Sequence, residues 1–178
     1  MKSYYKYNSQ IGDIYFLIEN DVLLSIGFQQ DLAYTIESKL NVSARKIINW
    51  LDKYFSGENP SIDGIEFVLC GTEFQKLVWK KLLEIPYGET RTYGEIANDV
   101  KQELGKEHMS AQAVGGTIGR NPLTIFIPCH RVVGSNNDLV GYSGGLKYKI
   151  SLLEIEGHQI DKIKNKINTS KKEFWDIK

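Results

Sequence analysis

Cys129 and His130 stand side by side in Ile127-Pro128-Cys129-His130-Arg131-Val132-Val133, the stretch of this chain best equipped for chemistry. A thiolate, not a thiol, is the nucleophile, and a free cysteine with a pKa of roughly 8.5 is only slightly ionised at neutral pH. A base or a positive neighbour must therefore activate it. Lowering the pKa by about two units takes roughly 2.7 kcal/mol of differential stabilisation, which a partnered histidine can supply. The same residue has a plainer reading, since cysteine is a small hydrophobe that is often buried. Neighbours on an extended chain point to opposite faces, so His130 is expected to take the thiol proton through a water. Such a base needs a third group to orient it. Cys70 lacks comparable surroundings and is expected in the core.

A chain of 178 residues holds one ordinary domain or two small ones. Its 42% hydrophobic and 11% aromatic content suits a globular protein with a real core. No apolar run approaches the roughly 20 residues that span a bilayer, and Met1-Lys2-Ser3-Tyr4-Tyr5-Lys6 lacks a signal-peptide core. The expectation is a cytoplasmic protein without a membrane partner. Two cysteines are too few for a disulfide scaffold, and a lone cysteine with a histidine nearby is a candidate nucleophile. There is no Cys-x-x-Cys, residues 1–64 contain neither cysteine nor histidine, and no phosphate-binding glycine motif occurs. No metal and no cofactor are expected. A net charge of zero argues against strong non-specific DNA binding, although a local basic face would suffice. Lys162, Lys164, Lys166, Lys171, Lys172 and Lys178 make the tail basic despite Asp161, Glu173 and Asp176. It reads as a solvated, partly disordered tail, or else as a weak phosphate-binding arm.

The elements that must carry these residues can be outlined. Residues 1–28 read as strands, with Ile11 to Ile18 and Val22 to Phe28 joined by a turn at Glu19-Asn20-Asp21. Ser43 to Phe55 has helical spacing, with Ala44, Ile47, Ile48, Leu51, Tyr54 and Phe55 on one stripe. Residues 56–66 are the natural linker. Thr72 with Gln75 and Thr92 with Glu95 are capping-box patterns that open two helices. Ser110 can cap a further helix through Ala113 and Val114 towards Ile118. Two short helices joined by a turn permit a helix-turn-helix. The expected domains are 1–64 with its linker, 65–157, and a tail 158–178.

Pro128-Cys129-His130-Arg131-Val132 resembles the active-site signature of the O6-alkylguanine-DNA alkyltransferases, the methylated-DNA–protein-cysteine methyltransferases. Gly71-Thr72-Glu73-Phe74-Gln75, Val78-Trp79, Ile85-Pro86-Tyr87-Gly88, Tyr93-Gly94-Glu95-Ile96-Ala97, Ala113-Val114-Gly115 and Leu152-Leu153…Glu156-Gly157 follow in the family's order. The resemblance is close over roughly 71–157 and loose before it. It implies an α+β fold: a small RNase-H-like N-terminal α/β domain and a mostly helical C-terminal domain like a winged helix-turn-helix. It implies irreversible transfer of an alkyl group from guanine O6, with O4-alkylthymine as a further substrate, to Cys129. One molecule would act once, as a monomer, on double-stranded DNA entered through the minor groove.

The resemblance also implies roles. Glu156 holds His130, Asn121 pins the turn before the active site, and Tyr93 donates a proton to the guanine ring. Tyr142, Ser143 and Gly144 belong to the loop that closes over the base, and Lys149 lies near it. The backbone carbonyls of Cys129 and Val132 receive the guanine amino group. Ser110, Gln112 and Ala113 contact DNA. The plainer readings are an Asn-Pro turn for Asn121, a flexible loop for Gly141-Tyr142-Ser143-Gly144-Gly145 and a helix-surface lysine for Lys149. Arg131 suits a tether for the chain better than a catalytic role. Two departures stand out. Gln112 occupies the place where many relatives carry an arginine that enters the base stack, which predicts weaker duplex binding. Asn98 to Met109 is long, which predicts an enlarged turn. Rival readings are a non-catalytic DNA-binding module, a Cys-His thiol hydrolase and a methylation-sensing regulator; the last needs extra domains for which the chain has no room.

Overall fold

The computed structural model describes residues 1–162 and 164–168. The chain begins with an antiparallel meander of β1 (Lys2–Ser9), β2 (Gly12–Glu19) and β3 (Val22–Gly27) in the order β1-β2-β3. Asn20 and Asp21 form the β2–β3 turn with φ of 49° and 67°. These residues tolerate the left-handed region that a tight two-residue hairpin needs. The free side of β3 pairs in parallel with two later segments, Leu23 with Phe67 and Ile26 with Leu123. That edge brings the run-up to Cys129 against the N-terminal sheet.

Helix α1 (Val42–Phe55) is capped by Asn41, whose side chain accepts from the Ala44 amide. It buries Ala44, Ile47, Trp50, Leu51, Tyr54 and Phe55. The expected stripe is thus present, with Trp50 added and Ile48 only half-buried. Both capping boxes form, at Thr72 and Gln75 of α2 (Glu73–Leu83) and at Thr92 and Glu95 of α3 (Tyr93–Glu103). Ser110 caps α4 (Ala111–Gly119) through the Ala113 amide. The stretch from Asn98 to Met109 is divided between helix and turn. Val100 is buried four residues after Ile96, and that contact carries α3 on to Glu103. Only the segment from Leu104 to Ser110 connects the helices.

After α4 the chain turns tightly between Thr124 and Ile127. Ile125 has φ of 75°, an unfavourable conformation for a β-branched residue. A 3₁₀ turn at Cys129–Arg131 leads into β5 (Val132–Val133), which pairs in parallel with β4 (Arg91–Thr92). Helix α5 (Leu146–Ile155) follows, then β6 (Ile160–Asp161) paired with β7 (Lys166–Ile167). The described part of the tail, residues 158–162 and 164–168, is therefore structured: Ile160 and Ile167 pack on Val133, Leu139 and Leu153. Lys171, Lys172, Glu173, Asp176 and Lys178 lie outside the described residues.

One continuous core runs from Tyr5, Ile14 and Phe16 through Trp50 and Tyr54 to Val78, Ile127 and Cys129. The result is a mixed α/β fold with five α-helices and small sheets among the described residues. None of those helices is long and apolar enough to cross a membrane. Cys70 is exposed, not in the core. It lies on an extended segment whose alternate residues Phe67 and Leu69 pack inward, so Val68 and Cys70 face out.

Candidate active site

Cys129 is 3% exposed and opens the 3₁₀ turn that follows Pro128. The buried Asn121 amide holds it, with Nδ2 3.1 Å from Sγ and 2.7 Å from the Ile127 carbonyl. Asn121 Oδ1 in turn accepts from the Leu123 amide at 2.9 Å. One side chain thus pins the strained turn and aims a donor at the sulfur. Burial pushes the Cys129 thiol up, and Asn121, Lys149 and Tyr142 counteract only part of that. This corrects the expectation that a partnered histidine depresses the thiol at rest.

His130 is fully buried, and its hydrogen bond runs to Glu156: Nε2 lies 2.7 Å from Oε1. No direct hydrogen bond joins it to Cys129 among the described residues. The two neighbours lie on a 3₁₀ turn, not on the extended chain expected, and three residues per turn splay them about 120° apart. A carboxylate only accepts, so the imidazole proton sits on Nε2 and the basic lone pair on Nδ1. Nδ1 is buried and has no hydrogen-bond partner among the described residues. Burial depresses the His130 pKa against the opposing pull of Glu156, which keeps the ring neutral at pH 7 and able to accept a proton.

Glu156 follows the last turn of α5 and is 6% exposed. An anion there gains nothing from the helix and burial opposes its ionisation, but five hydrogen bonds reach the carboxylate. Besides His130, Tyr54 Oη donates to Oε1 at 2.8 Å, Arg131 Nε to Oε2 at 2.8 Å and Arg131 Nη2 to Oε1 at 3.0 Å. The Gly88 amide adds a bond of 3.2 Å. His130 and Arg131 hold the carboxyl well below the usual carboxylate range. Arg131 also donates to the Ile85 carbonyl at 2.7 Å, so it is the tether the sequence suggested.

A cavity of about 150 Å³ opens onto Cys129. Tyr93, Gly115, Ile118 and Gly119 line one side, and Gly141, Tyr142 and Ser143 the other. The Tyr93 hydroxyl donates to the Val140 and Gly141 carbonyls, each at 3.3 Å. Burial pushes its pKa up to about 12. The Tyr142 hydroxyl is buried near Cys129 without a partner in hydrogen-bonding geometry among the described residues, while Ser143 is exposed and Gly144 packs against Phe28.

Lys149 is no surface lysine: it is 0% exposed on α5. Its Nζ donates to the Val132 carbonyl at 2.5 Å, to Val140 at 3.0 Å and to Gly141 at 3.4 Å. Burial lowers its pKa to about 8, with Cys129 acting in the opposite sense. It ties β5, which follows the Cys129–Arg131 turn, to the loop across the cavity. The Val132 carbonyl is therefore already engaged, and the Cys129 carbonyl accepts from the Val132 amide. Each retains one lone pair for any further donor.

Ser110, Gln112 and Ala113 sit together, exposed, on the first turn of α4. Three residues beyond Gln112, Gly115 already lines the cavity, so one face of α4 runs from the surface to the site. Tyr54 escaped the sequence reading as a site residue. It was legible only as part of an apolar stripe, although a buried tyrosine hydroxyl normally finds a partner.

The model of the 6-O-methylguanine DNA methyltransferase DNA-binding domain matches residues 73–158. A methylated-DNA–protein-cysteine methyltransferase of Mycobacterium leprae is 50% identical over 120 residues, which cover 67% of this chain and 69% of that protein. The chain belongs to the methylated-DNA–protein-cysteine methyltransferase family. Across this methyltransferase family the likeness extends to whole structures. The crystal structure of Mycobacterium tuberculosis O6-methylguanine methyltransferase is 38% identical with a TM-score of 0.74, covering 88% of this chain and 93% of that one. The Mycobacterium tuberculosis protein in complex with DNA is 39% identical with a TM-score of 0.74, covering 86% and 92%. Both overlaps are longer than the region matched by the family model, so the methyltransferase likeness reaches into the N-terminal part of the chain.

Proposed function

We propose that this methyltransferase-family chain repairs DNA by moving an alkyl group, methyl above all, from guanine O6 irreversibly to Cys129. The observation that carries the reading is a buried cysteine at a cavity, gripped by Asn121 and followed by a neutral, Glu156-bound histidine. The thiol proton passes to His130 Nδ1 through a water. The sulfur then forms a bond to the alkyl carbon as the carbon–O6 bond breaks, and the electron pair stays on the guanine. Guanine is a poor leaving group as an anion, so an acid must protonate it as the bond yields. Tyr93 is that donor, once a base displaces the loop carbonyls it now contacts. Asn121 and Lys149 stabilise the thiolate, and Tyr142, Ser143 and Gly144 cover the base. The product is a thioether, and nothing here removes it, so each molecule acts once. O4-alkylthymine is the further substrate to test.

A base within a duplex must leave the stack to reach a buried sulfur, at a cost of a few kcal/mol. The exposed turn of α4 is the natural means of entry to the minor groove, with Ser110, Gln112 and Ala113 against the DNA. In this reading residues 1–64 form an RNase-H-like domain and 65–157 a winged helix-turn-helix-like domain, acting as a monomer. A DNA substrate and a free thiol fit the reducing cytoplasm.

The test is intact mass after incubation with a duplex carrying one O6-methylguanine, with Cys129→Ala alongside. A gain of one methylene at Cys129, stopping at one per molecule, supports the proposal. Unchanged mass with retained binding supports a binding module instead, and turnover without adduct a hydrolase.

A further inference from the structure

We infer that Tyr54, from the N-terminal helix α1, is a positioning residue that sets the basicity of the Glu156–His130 pair. The inference rests on the proposed alkyl transfer for its kinetic consequence, but not for its electrostatics. Tyr54 is 1% exposed, and its hydroxyl donates to Glu156 Oε1 at 2.8 Å, the same oxygen that binds His130 Nε2. The hydroxyl is also 3.4 Å from His130 Nε2, too long to rival the 2.7 Å bond to the carboxylate. Tyr54 therefore competes with His130 for one oxygen.

The ring is held for this task. Trp50 stacks on Tyr54 with centroids 5.3 Å apart and on Phe126 at 4.2 Å, while Tyr87 meets Tyr54 edge-on at 6.2 Å. Phe126 lies in the turn before Cys129, so one aromatic column links α1 to the active-site approach. Burial first, and then Glu156 beside it, push the phenol well above its ordinary range, so it acts as a neutral donor.

A hydrogen bond to a carboxylate draws off part of its charge. Removing that donor concentrates charge on Oε1, strengthens the bond to His130 and raises the proton affinity of the imidazole. The other groups facing this pair come from separate elements: Arg131 from the 3₁₀ turn, Tyr87 and the Gly88 amide after α2, Lys149 from α5, and His158 beyond it. None of these is altered by changing Tyr54. A histidine that must be neutral to accept the thiol proton then does so only at higher pH.

The experiment compares wild type with Tyr54→Phe, which keeps the ring and the stack. The first readout is the His130 imidazole titration by NMR, which needs no DNA. The second is the pH profile of transfer from O6-methylguanine duplex. The expected result is an upward shift of about 0.5–1 unit in both the His130 pKa and the acid limb of the rate. A fluorinated tyrosine at position 54, a stronger donor, should shift both downward even if Tyr54→Phe folds poorly. An unmoved His130 pKa, or a rate lowered equally at every pH, overturns the inference. Wild type that transfers no alkyl group overturns the proposed function instead, whatever the titration shows.

Discussion

Asn121 and Cys129 are joined by a 3.1 Å contact from amide nitrogen to sulfur, and the same nitrogen holds the Ile127 carbonyl. Activation of the nucleophile and geometry of the turn thus share one group. Asn121→Ala should leave the Leu123 amide without its partner and the Ile127 carbonyl with the Cys129 amide alone, at a cost of about 1–3 kcal/mol. It should also raise the thiol pKa. Thermal unfolding and the pH dependence of iodoacetamide alkylation check the two effects separately. Destabilisation with unaltered thiol reactivity would show that the sulfur contact is incidental.

Glu156 is more acidic in the folded chain than a free carboxyl. Its contribution to stability is therefore complete above the unfolded-state pKa of about 4.3 and disappears as pH falls through the folded value. Glu156→Gln should lose about 3–5 kcal/mol at neutral pH, because it leaves the Arg131 guanidinium mostly buried without its anion. Its stability should also be flatter than wild type on acidification from pH 5. Denaturant melts across that range decide the matter; parallel curves for the two proteins would contradict the assignment.

Lys149 supplies a positive charge to a buried thiol and binds both sides of the cavity. In Lys149→Met the thiol pKa should rise and the loop from Val140 to Gly145 should loosen. Transfer should slow by at least about tenfold, as one lost hydrogen bond to a charged group is worth about 1.5–3 kcal/mol. In wild type, activity should fall above a pH of about 8 as the ammonium deprotonates. A transfer rate still rising with pH in wild type well beyond that value would count against the role.

Gln112 is exposed on α4 and uncharged. Gln112→Arg should bind modified duplex more tightly, and the salt dependence should steepen by about one phosphate contact. Titrations at two fixed salt concentrations measure both. Equal affinity and slope would remove Gln112 from the DNA-facing surface.

Local chemistry is where sequence and structure agree most closely. The caps at Thr72, Thr92 and Ser110 form as read, and the Glu19-Asn20-Asp21 turn and the α1 stripe do so to within a residue, Glu19 ending β2 and Trp50 standing buried where Ile48 is half-buried, because each depends on contacts only a few residues apart. Element lengths were less legible. How far α3 runs beyond Ala97 depends on a packing partner for Val100, and periodicity over so short a span does not reveal one. Cys70 was misplaced for the same reason: which face of the 65–70 segment turns inward follows from the pairing of Phe67 with Leu23.

The sequence by itself determined which groups are available: one cysteine beside a histidine, an ordered set of family motifs, and an uncharged Gln112 at the start of α4. Tertiary structure alone decided what those groups are to one another. It separated His130 from Cys129 despite their adjacency, buried Lys149 to bridge three carbonyls, and brought Tyr54 to Glu156 across 102 positions of chain. The physical reason is that pKa and hydrogen-bond partner depend on burial and on distances of a few ångströms, and those are set by packing between elements far apart in the chain.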